Sequence, residues 1–347
     1  MVETSPTDTR LGSSHPGVPT YLGVQYLRAF AAIAVVVFHA AQRSGVDFAQ
    51  GARGVDVFFV ISGFIMWTLT SSRPRSPGGF LLDRITRIVP LYWLATAAII
   101  MAEILGVVSN TQNDLSPLSV LKSLFFVPYV AEGATEIWPI LTPGWTLNYE
   151  MFFYAVFAAF LFAPARIRLW GLTITFVGLI ALGSLLKPHD PIFATYTNAL
   201  IGHFLAGIWI AVAVRKGMTL PPVVATLGVL AGTAALYFIP WGGTVVTLAC
   251  GLASTAIVAG VVSMDLRGSL PSVASLLFSG NASYSIYLWH GFALSLVAKV
   301  AVVLGLPGWV TIVASTVGGI VCGMIVYLVI EKQVKNLLSR RKPRPLV

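Results

Sequence analysis

The sequence predicts an all-α integral membrane protein, a single polytopic bundle of about ten transmembrane helices with both termini cytoplasmic. Three observations carry this. Of 347 residues, 56% are hydrophobic and only 10% charged, with a mean hydropathy of +0.84, whereas soluble domains are about a quarter charged. Ten apolar runs each approach the roughly 20 residues that cross a bilayer. The basic residues then fall mostly on one side of the topology those runs define.

Residues 1–20 are polar and rich in Pro, Ser and Thr. They lack the basic start and short apolar core of a cleaved signal peptide, so a disordered cytoplasmic tail is expected, followed by a span acting as an uncleaved anchor. That first span, YLGVQYLRAFAAIAVVVFHAA at 21–41, carries Arg28 in its first third and His39 near its end. Eleven residues at about 100° each come to roughly 20° past three turns, so both side chains share one helix face about 16 Å apart. The remaining spans are read at 54–71, 86–108, 145–163, 167–186, 193–214, 220–239, 243–263, 281–305 and 309–331. An apolar piece at 119–130 is too short to cross and reads as interfacial or re-entrant. Residues 21–331 thus form one membrane domain, and 332–347 a basic cytoplasmic tail resting on anionic lipid.

The formal charge of +9 would suggest nucleic acid in a soluble protein, but here its location matters more than its total. Of 22 Lys and Arg, sixteen fall on the cytoplasmic side of the ten-span topology, four outside, and Arg28 and Lys299 within spans. Cys250 and Cys322 lie in apolar segments without zinc or disulfide spacing. The five histidines have no ligand-like spacing either, so no metal is expected.

This topology gives each buried polar group a depth. Arg28, Arg84 and Arg87 lie toward the cytoplasm, Arg84 and Arg87 three apart on one face. His39, Asp56 and Glu150 lie in the outer half, Ser62 near mid-span and His290 at intermediate depth. Each has a plainer reading. Arg28 can snorkel to headgroups, Asp56 can cap a helix N terminus, Arg84 and Arg87 can simply obey the charge rule, and His290 can be a hydrogen-bonded packing residue. Glu150 resists this most, because a carboxylate several residues inside an apolar helix needs a partner or a proton.

Five stretches, LRAFAAIAVVVFHA, GVDVFFVISGFIM, RITRIVPLYW, GWTLNYEMFFY and SYSIYLWH, occur in an order that resembles the membrane-bound acyltransferase-3 family. The likeness covers 21–331 and is closest to short exopolysaccharide-type O-acetyltransferases. It implies transfer of an acyl group, usually acetyl from acetyl-CoA, to a carbohydrate hydroxyl at the bacterial inner membrane. The family's R-x10-H pair falls on Arg28 and His39, and its R-x-x-R pair on Arg84 and Arg87.

The chemistry fits the depths. Coenzyme A is a cytoplasmic polyanion, and the planar fork of Arg pairs with phosphate oxygens, which makes Arg28, Arg84 and Arg87 the donor-binding candidates. The acceptor hydroxyl needs a base, and His39 is the first choice, with Glu150 or Asp56 to orient its imidazole. An acyl enzyme on Ser62 or His39 has no support over direct transfer. The expected partners are membrane lipid, a carbohydrate acceptor and a CoA thioester, with a homodimer as an allowed assembly and no nucleic acid. Two alternatives stay open: an acyltransferase acting on a macrolide or other small metabolite, and a glycan transporter or flippase. The second would show pseudo-symmetric halves, and no internal repeat is evident.

Overall fold

The computed structural model describes residues 21–106 and 114–340, the last three by backbone alone. The expected tail over 1–20, the end of the expected third span and residues 341–347 lie outside the described residues. The helices are α1 (Leu22–Arg43), α2 (Gly54–Ser72), α3 (Pro77–Ile104), α4 (Pro117–Leu124), α5 (Trp145–Ala159), α6 (Ala165–Leu186) and α7 (Pro191–Tyr196). They continue with α8 (Ile201–Arg215), α9 (Pro222–Phe238), α10 (Thr244–Leu266), α11 (Ala274–Leu304), α12 (Gly308–Val326) and α13 (Lys332–Arg340), a π-helical turn over Tyr327–Glu331 joining the last two. No strand occurs among the described residues. Eight helical stretches are long and apolar enough to cross a membrane. The other two expected spans are the shorter helices α5, with 15 residues, and α9, with 17.

Boundaries differ from expectation where polar chemistry overrides hydropathy. The third span starts at Pro77 because Ser76 accepts a hydrogen bond from the Gly79 N–H at 3.2 Å and Pro77 occupies the first helical position. Asp83, Arg84 and Arg87 are therefore helical, although their charge lowers the local hydropathy. The sixth expected span is broken into α7 and α8. At the break the Asn198 side chain accepts from the Leu200 N–H at 3.0 Å and the Thr197 hydroxyl donates to the Phe193 carbonyl at 2.6 Å, local bonds that compete with the helical ladder. The apolar piece at 119–130 yields only α4, eight residues and about 12 Å long. Beyond the expected end of the last span at 331 the chain continues as the helix α13.

The central helix is α1, which packs against α11, α2, α10 and α12, while α2 lies on α8 and α10 on α9. The α2–α8 crossing is close because glycines meet backbone reciprocally. A Cβ at Gly63 would overlap the Phe204 carbonyl, and one at Gly207 the Val60 carbonyl. Small residues permit such approach between membrane helices, where dispersion replaces the hydrophobic effect as the main attraction. With α1 and α2 fixed, α3, α5 and α11 close around their exposed polar face.

Candidate active site

Five helices enclose a cavity of about 110 Å³. Arg28 enters it from α1, Ser62 from α2, Arg84 and Arg87 from α3, Glu150 and Tyr154 from α5, and Ser283, Tyr284 and Tyr287 from α11. Glu150 is the sole acid in this lining, against three guanidiniums. Its Oε1 accepts from the Tyr154 hydroxyl at 2.5 Å and the Ser62 hydroxyl at 2.9 Å. Arg28 donates to the Gln25 side chain at 3.2 Å. Arg84 is only 9% exposed, and its Nε has no hydrogen-bond partner, nor has the hydroxyl of Ser283. A buried guanidinium donor left unpaired carries a desolvation penalty, so the cavity has a net positive lining with unused donors, the electrostatic character of an anion site.

A second cavity, about 690 Å³, lies against the first. Val55 and Tyr287 line both, so these two side chains form their shared wall. Tyr287 is held there through its hydroxyl, 3.1 Å from that of Thr146 and 3.3 Å from the Pro143 carbonyl. This second cavity receives His39 and Gln42 from α1 and His290 and Ser295 from α11. The imidazoles of His39 and His290 stack at 5.2 Å between centroids. His290 Nδ1 lies 3.2 Å from the Ile286 carbonyl. That oxygen can only accept, so the Nδ1 carries the proton and Nε2 of the neutral ring is left as an acceptor.

The sequence-predicted residues thus separate into three places. Arg28, Arg84, Arg87 and Glu150 share the first cavity; His39 occupies the second. Asp56 is in neither, its Oδ1 lying 2.8 Å from His203 Nε2 on α8, both side chains buried. The expectation that Asp56 or Glu150 orients the His39 imidazole therefore fails on geometry: one carboxylate is spent on an α2–α8 pair and the other on Ser62 and Tyr154. The ring that stands beside His39 is His290, which the sequence left as a packing residue. A signal existed, since Ser283, Tyr287 and His290 recur at i, i+4 and i+7 and so share one face of α11. Glu331 was also missed. Buried in the π-helical turn, it accepts from the Ser285 hydroxyl at 2.5 Å and pairs with Lys335. Among the described residues, no three His, Cys, Asp or Glu side chains gather as a metal set.

The acyltransferase-3 family pattern, described as an acyltransferase domain, matches residues 21–328. The chain belongs to the acyltransferase-3 family. This makes it an O-acyltransferase built as a multi-pass membrane protein. Among similar proteins, the exopolysaccharide production protein ExoZ of Rhizobium meliloti (strain 1021) is 40% identical over 318 residues, 89% of this chain and 96% of that protein. The O-acetyltransferase OatA of Staphylococcus aureus (strain NCTC 8325 / PS 47) is 28% identical over 314 residues, 78% of this chain and 50% of OatA. The putative membrane-bound transacylase BcsY of Komagataeibacter xylinus is 27% identical over 282 residues, 76% of this chain and 70% of BcsY. No solved structure matches.

Proposed function

We propose that this acyltransferase moves acetyl from acetyl-CoA to a hydroxyl of a cell-surface or exported carbohydrate at the bacterial inner membrane, with the N-terminal end of α1 and both termini cytoplasmic. The observation that carries this reading is the shared wall of Val55 and Tyr287 between an arginine-lined cavity and a histidine-lined one. A donor anion and an acceptor alcohol can then approach one another from opposite ends of a single helix face.

The residues present fit a CoA thioester. Arg28, Arg84 and Arg87 line the cavity and would hold its phosphates through their guanidinium N–H groups. When bound, that donor supplies the thioester carbonyl as electrophile. Glu150 keeps the Ser62 and Tyr154 hydroxyls turned toward itself, which holds this wall of the cavity in one arrangement. At the other end His39 would take the proton of the acceptor hydroxyl as its oxygen bonds to the acetyl carbon; the C–S bond breaks, CoA leaves as the thiolate, and the proton on His39 passes to that sulfur, while His290, stacked on His39, holds the ring in place as a positioning residue. The larger volume of the His39 cavity suits a sugar, and the ExoZ name connects a similar chain with exopolysaccharide.

The test is transfer of labelled acetyl from acetyl-CoA in membranes containing the chain, followed by mass spectrometry of glycans and of small metabolites. Label in the glycan fraction that requires the chain is the expected result. Label confined to small metabolites, or none in any acceptor, overturns the carbohydrate assignment.

A further inference from the structure

A third cavity, about 810 Å³ and within the size range of small-molecule sites, contributes no side chain to the proton and acyl transfer described above. It lies where the C-terminal turns of α2 and α8 meet the start of α6. Arg75, Arg166, Arg168, Arg215 and Lys216 line it, and no Asp or Glu is among its lining residues. Arg75 is paired with Asp83. Of the others, Arg166, Arg215 and Lys216 are exposed and only Arg168 is buried, so the cavity presents one buried and three solvated cations with no carboxylate among its lining residues.

Arg168 shows what is missing. It is 8% exposed, its guanidinium lies 4.7 Å over the Trp67 ring, and its Nε has no hydrogen-bond partner. The stacking on Trp67 fixes the plane of the fork, and Arg168 lines the cavity with that donor unsatisfied. A helix terminus adds to the field. The α6 helix begins after Pro164 with no side-chain cap, so its first N–H groups and the positive end of its dipole remain for an anion. The exposed Trp170, edge-on to Trp209 at 5.5 Å, sets the cavity at the depth where indoles favour the bilayer interface.

We propose that this cavity is a phosphate-binding site, separate from the acyl-transfer cavities, centred on Arg168. The phosphate could arrive on an anionic lipid headgroup or on the nucleotide end of the donor, and the two sources give different readouts. Purified full-length protein is compared with Arg168→Gln and with the double variant Arg166→Gln, Lys216→Gln, whose exposed positions leave the Arg168–Trp67 contact undisturbed. Native mass spectrometry measures retention of phosphatidylglycerol against phosphatidylcholine, and titration calorimetry measures affinity for adenosine 3′,5′-bisphosphate. A loss of about tenfold or more for both variants in the lipid arm assigns the headgroup, and in the nucleotide arm the donor. Wild-type values for the double variant in both arms overturn the proposal, whatever becomes of Arg168→Gln. Neither readout needs turnover, so failure here is distinct from failure of the transfer reading.

Discussion

The His39 ring, carried by α1, lies face to face with the His290 ring of α11, 5.2 Å apart and 24° from parallel. Two imidazoles in one membrane cavity give a base and a neighbour that fixes its plane. Replacing His39 by Ala is expected to lower kcat by ~10² to 10⁴, the usual worth of a general base, while donor retention stays unchanged. Single-turnover acetyl transfer with the purified variant checks this. Transfer at the wild-type rate would remove His39 from the chemistry.

His290 touches the base and not the acceptor proton, so its loss should read differently. His290→Gln is expected to lower kcat by about tenfold with KM for acetyl-CoA unchanged, because the His39 ring loses the stacked neighbour that fixes its plane while the arginine-lined cavity is untouched. A merely structural role would reduce the amount of folded protein and leave kcat per folded molecule in place.

Arg84 presents a buried guanidinium whose Nε is unpaired. Lys at this position keeps the charge and loses the fork, so Arg84→Lys is expected to raise KM for acetyl-CoA about tenfold or more with kcat little changed. Steady-state kinetics at saturating acceptor separate the two. An unchanged KM would place the donor elsewhere.

Asp56 should behave as a structural residue. Its pairing with His203 bridges α2 to α8, close to the glycine crossing that sets their separation. Breaking a buried pair by removing one partner costs about 3 to 5 kcal/mol, so Asp56→Ala is expected to lower the thermal midpoint markedly. The folded fraction should retain transfer activity per molecule. Loss of activity without loss of stability would return Asp56 to the reaction.

The bundle was legible because hydropathy is a local property: each apolar run needs about 20 residues and nothing else. The arginine cluster was legible for a similar reason, since Arg84 and Arg87 share a helix face and Arg28 stands out against its apolar neighbours. Partners across helices were not. Asp56 and His203 are 147 positions apart, and Ser62 and Glu150 are 88, so depth alone put both carboxylates near His39 when their azimuths point elsewhere. The break between α7 and α8 was hidden because Asn198 and Thr197 act through hydrogen bonds, which a hydropathy average does not register.

Outside the spans, Asp114 provides a pH test of the segment leading into α4. Its carboxylate accepts from the Ser119 hydroxyl at 2.6 Å, the Ser116 N–H at 2.8 Å and the Ser116 hydroxyl at 2.9 Å. These bonds, that of Ser119 foremost, hold the Asp114 carboxyl below the usual carboxylate range. Its folded value is therefore lower than its unfolded one. The stabilisation is fully present above the unfolded value, about 3.9, and is lost as pH falls through the folded one. Amide hydrogen exchange at Ser116 and Ser119, corrected for the intrinsic rate, should show steady protection from neutral pH down to about 5 and a fall below about 4. Asp114→Asn should abolish that step, because an amide cannot gain the proton that releases the two serines. Protection in the wild type that persists unchanged at about pH 2 would mean that the turn is held by the packing of α4 against α3, where the Tyr92 hydroxyl donates to the Ser123 carbonyl, and not by this carboxylate.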